Sequence, residues 1–434
     1  MANIIIPKKL QGFMELDPVK QKQFDQMQRK IINVFERYSF MPINTPTLEY
    51  SEILLAKSGG EIDKEIYRFT KGSTDICMRY DLTVPLARYV AMNLNTLNFP
   101  FRRYQIGKVY RGERPQKGRF REFIQCDADI IGVDNLSLTN DAECISLYFD
   151  CFKALNLDVV VEISNRKIVN GLLNALNIND KAEEIFKNLD KVDKIGLKEL
   201  ENNLKELELD KKVIDKILAL SNCKGNLENV LSGVGKLCES EEFLQGLAEL
   251  KEVDTYLKAL GLSEENYTYN LAIVRGHNYY TGTVFEAYIK NRRDFGAVGG
   301  GGRYDDLASY YTTTKLPGVG MSIGLTRLFD QLLENNLLPA VDNSGTDLVI
   351  IPLGETIIES LKLCKCLRQK GIVTEVLSED KSFKSKLKDA NRRLIPYVLI
   401  VGEDEVKEEK YTLKNMRTGE QFKVSKDEIV EKMK

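Results

Sequence analysis

Residues 110–123 read Tyr110-Arg111-Gly112-Glu113-Arg114-Pro115-Gln116-Lys117-Gly118-Arg119-Phe120-Arg121-Glu122-Phe123. A β-like run from Tyr104 enters this stretch, a loop set by Pro115 and Gly118 turns it, and a second run, Phe123–Ile131, leaves it. Two runs joined by so short a loop return antiparallel. The window from Arg102 to Arg121 holds Arg102, Arg103, Lys108, Arg111, Arg114, Lys117, Arg119 and Arg121 against a single acid, Glu113. Arginines on both flanks of one turn can point at one anion. Guanidinium forks suit phosphate because they bond bidentately and keep their charge. A solvated basic hairpin is the competing reading.

Outward from this hairpin the pattern stays mixed. Asp17 is a candidate N-cap for a helix over 17–39, whose Phe24, Met27, Ile31, Val34, Phe35 and Tyr38 share one face. Short β-like runs follow at Ile76–Arg79 and Val159–Ile163, and the sum predicts a mostly antiparallel sheet with helices against it. Residues 171–254 lack proline, are rich in Leu, Lys, Glu and Asn, and read as a helical insert, with one strong helix over Glu199–Leu220. β-type sequence returns at Tyr267–Val274, Thr283–Ile289 and the glycine run Gly299–Gly302, and a helix is predicted over Met321–Leu333. Asn335–Gly345 reads as a linker. Beyond it, strands at Leu348–Ile351, Val373–Val376 and Tyr397–Val401, a helix at Thr356–Lys370 and a hairpin over Tyr411–Val424 describe a separate α/β domain.

The 434 residues, 43% hydrophobic and 29% charged, supply a core without disulfides or metals. The net charge of −2 excludes a uniformly basic coat but leaves room for local patches. One such patch is Lys381–Arg393, with Lys381, Lys384, Lys386, Lys388, Arg392 and Arg393. The one histidine, His277, rules out a multi-histidine metal site. Eight scattered cysteines without a CxxC pair read as buried, reduced thiols, and neither a signal peptide nor a membrane span is evident, so a cytoplasmic location is expected.

Four further stretches carry possible chemistry. In Met78-Arg79-Tyr80-Asp81-Leu82-Thr83 a carboxylate and a hydroxyl could face one ammonium group, or Asp81 could simply cap a helix. In Val274-Arg275-Gly276-His277-Asn278-Tyr279-Tyr280-Thr281-Gly282 an arginine between an apolar residue and an aromatic turn would meet an anion in a cleft, and Tyr280 could offer a hydroxyl. The glycines of Gly299-Gly300-Gly301-Gly302-Arg303-Tyr304-Asp305 permit close approach, yet neither GxxxxGK[ST] nor GxGxxG is present. Gly318–Arg327, GVGMSIGLTR, reads as a glycine-spaced helix ending in an arginine that could stack on a purine.

Taken together, these stretches resemble the histidyl-tRNA synthetase family of class II aminoacyl-tRNA synthetases, from about Pro7 to about Val424. RPQKGRFREF, VRGHNYYTGTVFE and GGGRYD carry the resemblance. It implies an α+β fold: a class II antiparallel-sheet catalytic core in two parts (1–170 and 255–334), a helical insertion domain (171–254), a linker (335–345) and a C-terminal α/β anticodon-binding domain (346–434). The implied activity is ATP-dependent attachment of L-histidine to tRNA(His) through a histidyl-adenylate, releasing AMP and diphosphate. Arg111, Glu113, Arg119 and Arg327 would hold ATP, with Arg275 a fixed cation on the α-phosphate opposite Arg111. Asp81, Thr83, Gln125, Asp129, Tyr280 and Tyr304 would bind histidine. Gln116 and Arg121 would reach the tRNA acceptor end. Mg²⁺ would bridge phosphate oxygens, with no protein ligand assigned, and a homodimer is expected through the helix 17–39 and the segment around Pro46. His277-Asn278 stands where the family usually has Leu-Asp. The main alternative is the family's non-catalytic, histidine-sensing regulatory paralogue of ATP phosphoribosyltransferase; a ligase for another amino acid or amine is the third reading.

Overall fold

The computed structural model describes residues 5–56, 65–114, 116, 118–274, 279–338 and 345–433. Arg275, His277, Asn278, Pro115 and Lys117 lie outside them. The chain divides into two compact units, one of Met1–Glu15 and Phe24–Leu338, the other of Leu16–Gln23 and Pro339–Lys434.

The first unit is built on a nine-stranded sheet. In spatial order its strands are Met41–Pro42, Phe101–Tyr110, Glu122–Ile131, Gly318–Gly324, Gly299–Tyr304, Thr283–Ile289, Val159–Asn165, Tyr267–Asn270 and Lys224–Gly225. Adjacent strands run antiparallel except at Met41–Pro42 on Phe101–Tyr110 and Val159–Asn165 on Tyr267–Asn270, so the expected antiparallel core is present. The arginine-rich hairpin is its longest ladder, pairing Tyr110 with Glu122 at one end and Phe101 with Ile131 at the other. One sheet face buries Val319, Met321 and Ile323. Helix Thr139–Ala154 packs there, Tyr148 donating to the Ser322 carbonyl at 2.7 Å.

Helix Pro18–Arg37 starts as predicted, the Asp17 carboxylate accepting from the Lys20 amide at 2.9 Å. Its buried stripe is Phe24, Met27, Ile31, Val34 and Phe35, and Phe24 meets Phe329 edge-on at 5.2 Å.

Three expectations change. Residues 318–324 form a strand, and the helix begins only at Leu325. The apolar residues there alternate with Gly320, Ser322 and Gly324, a period of two that outweighs the apparent helical spacing. The single helix over Glu199–Leu220 is two, Leu197–Glu206 and Lys211–Ser221, broken where Glu208 takes a left-handed φ of 55°. The strand predicted to reach Val274 stops at Asn270, whose side-chain oxygen accepts from the Ala272 amide and turns the chain. Between Arg166 and Ala259 the chain is otherwise helical, apart from the edge strand Lys224–Gly225.

The second unit carries a five-stranded sheet ordered Thr374–Val376, Leu348–Pro352, Tyr397–Val401, Tyr411–Asn415, Gln421–Val424, the first three parallel and the rest antiparallel. Its strands alternate between two cores. Leu348, Ile350, Leu399 and Val401 pack with Leu363 and Leu367 of helix Ile357–Gln369, while Val349, Ile351 and Val398 pack with Ala390 and Ile395. This is the α/β arrangement read from the sequence. The basic patch falls on helix Phe383–Arg392 and its flanks; Lys381, Lys384, Lys388 and Arg392 are exposed, Lys386 is buried and Arg393 is engaged by Glu375.

All eight cysteines are free, seven of them buried. Among the described residues no helix is long and apolar enough to cross a membrane, and no group of three or more His, Cys, Asp or Glu could hold a metal ion.

Candidate active site

The open face of the first unit's sheet holds a cavity of about 380 Å³, and register dictates its lining. Alternation puts Phe123, Gln125, Asp127 and Asp129 on one face of strand Glu122–Ile131. Opposite them stand Gly324 against Gln125, Ser322 against Asp127 and Gly320 against Asp129. One strand further, Gly300 faces Ser322 and Gly302 faces Gly320, and beyond these come Glu286 and Val284. The glycines leave the floor bare. A Cβ at Gly320 would collide with the Asp129 carboxylate, and one at Gly318 with the Tyr304 ring, so these two positions exclude any side chain.

The row has a polar gradient. At one end the Tyr304 hydroxyl donates to Asp129 at 2.9 Å, and Arg103, fully buried, pairs with the other Asp129 oxygen at 2.6 Å. Arg103 also donates to the Leu82 carbonyl at 3.3 Å, tying the strand to the segment that carries Asp81 and Thr83. Asp81 accepts from the Val84 amide at 3.1 Å, so it does cap helix Thr83–Met92, yet its second oxygen is buried without a hydrogen-bond partner among the described residues. Capping and ligand binding are thus compatible. Burial pushes Asp81 up to about 6 and Asp127 up to about 7, the latter also by Asp129 and Asp81 against the opposing pull of Arg103. Burial likewise raises Asp129 and Tyr304. Three buried carboxylates around one buried arginine make this end a receptor for a cation with N–H donors.

The other end is cationic. The Arg111 guanidinium lies 5.1 Å from the Phe123 ring centre, and its Nε donates to the Tyr80 carbonyl at 3.2 Å. Arg119 pairs with Glu113 at 3.2 Å, with more than half of its side chain exposed. Arg327, one turn into helix Leu325–Glu334, donates to the Phe295 carbonyl at 3.0 Å. Burial lowers its pKa, and so does the charge of Arg119, which lines the same cavity. Converging guanidiniums of this kind favour a polyanion. Between the ends, Gln125 donates to the Ser322 hydroxyl at 3.0 Å and leaves its Oε1 buried and unpartnered among the described residues.

Asp81, Thr83, Arg111, Glu113, Arg119, Gln125, Asp129, Tyr280, Tyr304 and Arg327 all line this cavity. Gln116 and Arg121 do not; they sit on the hairpin loop. There the Arg119 amide donates to the Gln116 carbonyl at 2.9 Å around Gly118, whose φ of +70° suits glycine, and Arg121 Nε donates to the Glu113 carbonyl at 3.1 Å. The two aromatic motifs are stitched together, Thr281 Oγ1 donating to Asp305 at 2.7 Å, while Arg303 is consumed by Asp141 at 2.5 Å. Sequence reading missed Asp127, Glu286, Ser322 and the supporting Arg103. The alternation Phe123, Gln125, Asp127, Asp129 was the signal for the first; the others needed strand register.

The second unit identifies the class. Residues 347–434 match the family model of an anticodon binding domain. Joined to a unit whose cavity offers one end to a cation and the other to a polyanion, that domain defines an aminoacyl-tRNA synthetase. Residues 12–328 match the family model described as histidyl-tRNA synthetase. The chain is 46% identical over 437 residues to the histidine–tRNA ligase of Clostridium tetani, covering 100% of this chain and 99% of the relative. It is 43% identical over 433 residues to that of Finegoldia magna, covering 99% and 100%. The crystal structure of histidyl-tRNA synthetase from Nostoc sp. PCC 7120 superposes with a TM-score of 0.89 at 34% identity, covering 99% of each chain. The chain belongs to the histidyl-tRNA synthetase family.

Proposed function

We propose that the cavity seats L-histidine at its acidic end and ATP at its arginine end, so that the histidine carboxylate meets the α-phosphorus. The enzyme attaches L-histidine to tRNA(His) through a histidyl-adenylate, releasing AMP and diphosphate. The full-length matches, anticodon-binding segment included, disfavour the regulatory paralogue.

The observation that carries the assignment is the polar gradient along Phe123, Gln125, Asp127 and Asp129. Asp129 with Tyr280 and Tyr304 would bond the imidazole, Asp81 and Thr83 the α-ammonium, and Gln125 the carboxylate. A side chain lacking ring N–H groups would bury its surface against this polar wall without offering it a donor, a heavy penalty. Arg111 would grip the α-phosphate, Glu113 and Arg119 orient the nucleotide, and Arg327 stack on adenine. Arg275, by the resemblance of its motif, would supply the second cation on the α-phosphate. No protein nucleophile is needed: the substrate carboxylate attacks, and the protein positions it and neutralises charge growing on the phosphoryl oxygens.

Mg²⁺ belongs with the nucleotide in this scheme, since triphosphate oxygens are its natural hard ligands. Glu113, paired with Arg119, and Glu286 line the cavity away from its acidic end and would be the carboxylates available to hold it. Gln116 and Arg121 would meet the tRNA acceptor end, and the exposed Lys381, Lys384, Lys388 and Arg392 would hold tRNA phosphates. We divide the chain functionally at 170, 254, 334 and 345, as its composition suggests, and place it in the cytoplasm. Homodimerisation is proposed through the apolar groove of Pro46, Leu48, Tyr50, Ile53, Met92 and Tyr311, where Leu48, Tyr50 and Met92 are exposed.

ATP–diphosphate exchange with each of the twenty amino acids tests the assignment. Exchange with histidine alone is expected, and exchange with another amino acid, or with none, contradicts it. Removal of residues 346–434 is expected to spare exchange and weaken tRNA charging; unchanged charging would rule out an anticodon contact.

A further inference from the structure

The assigned roles leave one residue of the polar row without a task. Asp127 lies between Gln125 and Asp129 on the cavity face and is buried to 3% exposure. Its Oδ1 is sealed from solvent with no hydrogen-bond partner among the described residues, and Ser322 bonds the carboxyl group. A carboxylate oxygen held dry without a donor is costly unless a ligand supplies one.

The surroundings say what kind of ligand. Arg103 is the buried cation closest in charge to Asp127, and it is engaged by Asp129 and the Leu82 carbonyl. Asp81, whose charge Asp127 feels, also keeps one buried oxygen unpartnered among the described residues. Arg79 acts on Asp127 from a greater remove, spending its own donors on the Lys108 and Thr45 carbonyls. Glu286 lies three strands along the same row. Arg111 also acts on Asp81, yet among the described residues two buried carboxylate oxygens here, one on Asp81 and one on Asp127, keep no hydrogen-bond donor.

We propose that Asp127 is a further histidine-binding residue, sharing the α-ammonium with Asp81. The inference rests on the histidine orientation assigned above. In histidine the ammonium branches from the carbon between the carboxylate and the imidazole. Asp127 is likewise the residue between Gln125, set for the carboxylate, and Asp129, set for the ring. Two carboxylates and the Thr83 hydroxyl match the three N–H donors of an ammonium. The raised pKa agrees with this geometry: near pH 7 the empty cavity holds Asp127 partly protonated, and an arriving ammonium displaces that proton.

The test compares L-histidine with 3-(imidazol-4-yl)propionate, which is histidine without its amino group. Both are titrated calorimetrically into the full-length wild type and Asp127→Asn. The substitution is expected to weaken L-histidine roughly 10- to 100-fold, the worth of a hydrogen bond to a charged group. The deaminated analogue should stay within about twofold, as should ATP, which reports that the fold is intact. Equal weakening of histidine and the analogue, or no weakening of either, overturns the proposal. If Asp127→Asn does not fold, Asp127→Ser with the same pair of ligands gives the same ratio. A wild type that neither binds histidine nor exchanges diphosphate in its presence would instead overturn the cavity assignment itself.

Discussion

The two ends of the cavity are built on opposite principles. At the end proposed for histidine every group is buried and most are already engaged: Arg103 on Asp129, Tyr304 on Asp129, Val84 on Asp81. At the end proposed for the nucleotide Arg119 is largely exposed and Arg111 rests on an aromatic face and a backbone carbonyl. The first end is largely preset, with one oxygen each of Asp81 and Asp127 left for the substrate to bond, which suits selection of one small molecule. The second is left open for a large, mobile polyanion to complete. Damage to the open end should therefore appear in turnover, and damage to the preset end in stability and histidine affinity.

The sharpest break would come at the open end. Arg111→Ala is expected to lower the histidine-dependent exchange rate by about 10²- to 10³-fold, because the charge it is proposed to neutralise grows in the transition state. Its histidine dissociation constant should move little; equal losses in rate and affinity would merge the two ends. Arg275→Ala should behave in the same way. Next in size is Arg103→Met at the preset end. Leaving Asp129 buried without its partner should destabilise the first unit by about 3–5 kcal/mol, read from its denaturant midpoint. A stable Arg103→Met protein would mean that Asp129 is held by Tyr304 alone.

Smaller effects follow from protonation. With Asp127 at about 7 and Asp81 at about 6, histidine affinity should fall as the pH drops through 7 and again through 6. Asp127→Asn should erase the upper step and keep the lower; a profile still bending near 7 would exclude Asp127 as its source. The smallest effect is thermal. A carboxyl whose folded pKa is raised binds more protons folded than unfolded between about pH 4 and 7, so its cost in stability builds up through that window and is complete above 7. Asp127→Asn should therefore raise the melting temperature of the ligand-free enzyme by a few degrees at pH 8, and hardly at all at pH 4. A lower melting temperature at pH 8 would make Asp127 a structural residue.

The contrast between the ends also explains what could be read from the chain. The arginine end was legible because its residues cluster in sequence: the hairpin 102–121 announces both its antiparallel strands and its charge. The histidine end is scattered over five segments, and the resemblance of its motifs, rather than local pattern, brought Asp81, Asp129, Tyr280 and Tyr304 together. Arg103 was read only as one basic residue among eight, because its burial depends on a cross-strand partner 26 positions away. The strand Gly318–Gly324 was taken for helix because apolar residues surround its glycines. Only the neighbouring strands show that those glycines make room for Asp129 and Tyr304. Residues 275–278, which hold Arg275, His277 and Asn278, lie outside the described structure, so their part rests on the motif.

A crystal structure with L-histidine and a non-hydrolysable ATP analogue bound together tests the central claim most directly. The imidazole should lie between Asp129, Tyr280 and Tyr304, and the triphosphate among Arg111, Arg119 and Arg327, with the histidine carboxylate turned toward the α-phosphorus. Phosphates seated beside Asp81, Asp127 and Asp129, or an imidazole among the arginines, would contradict it.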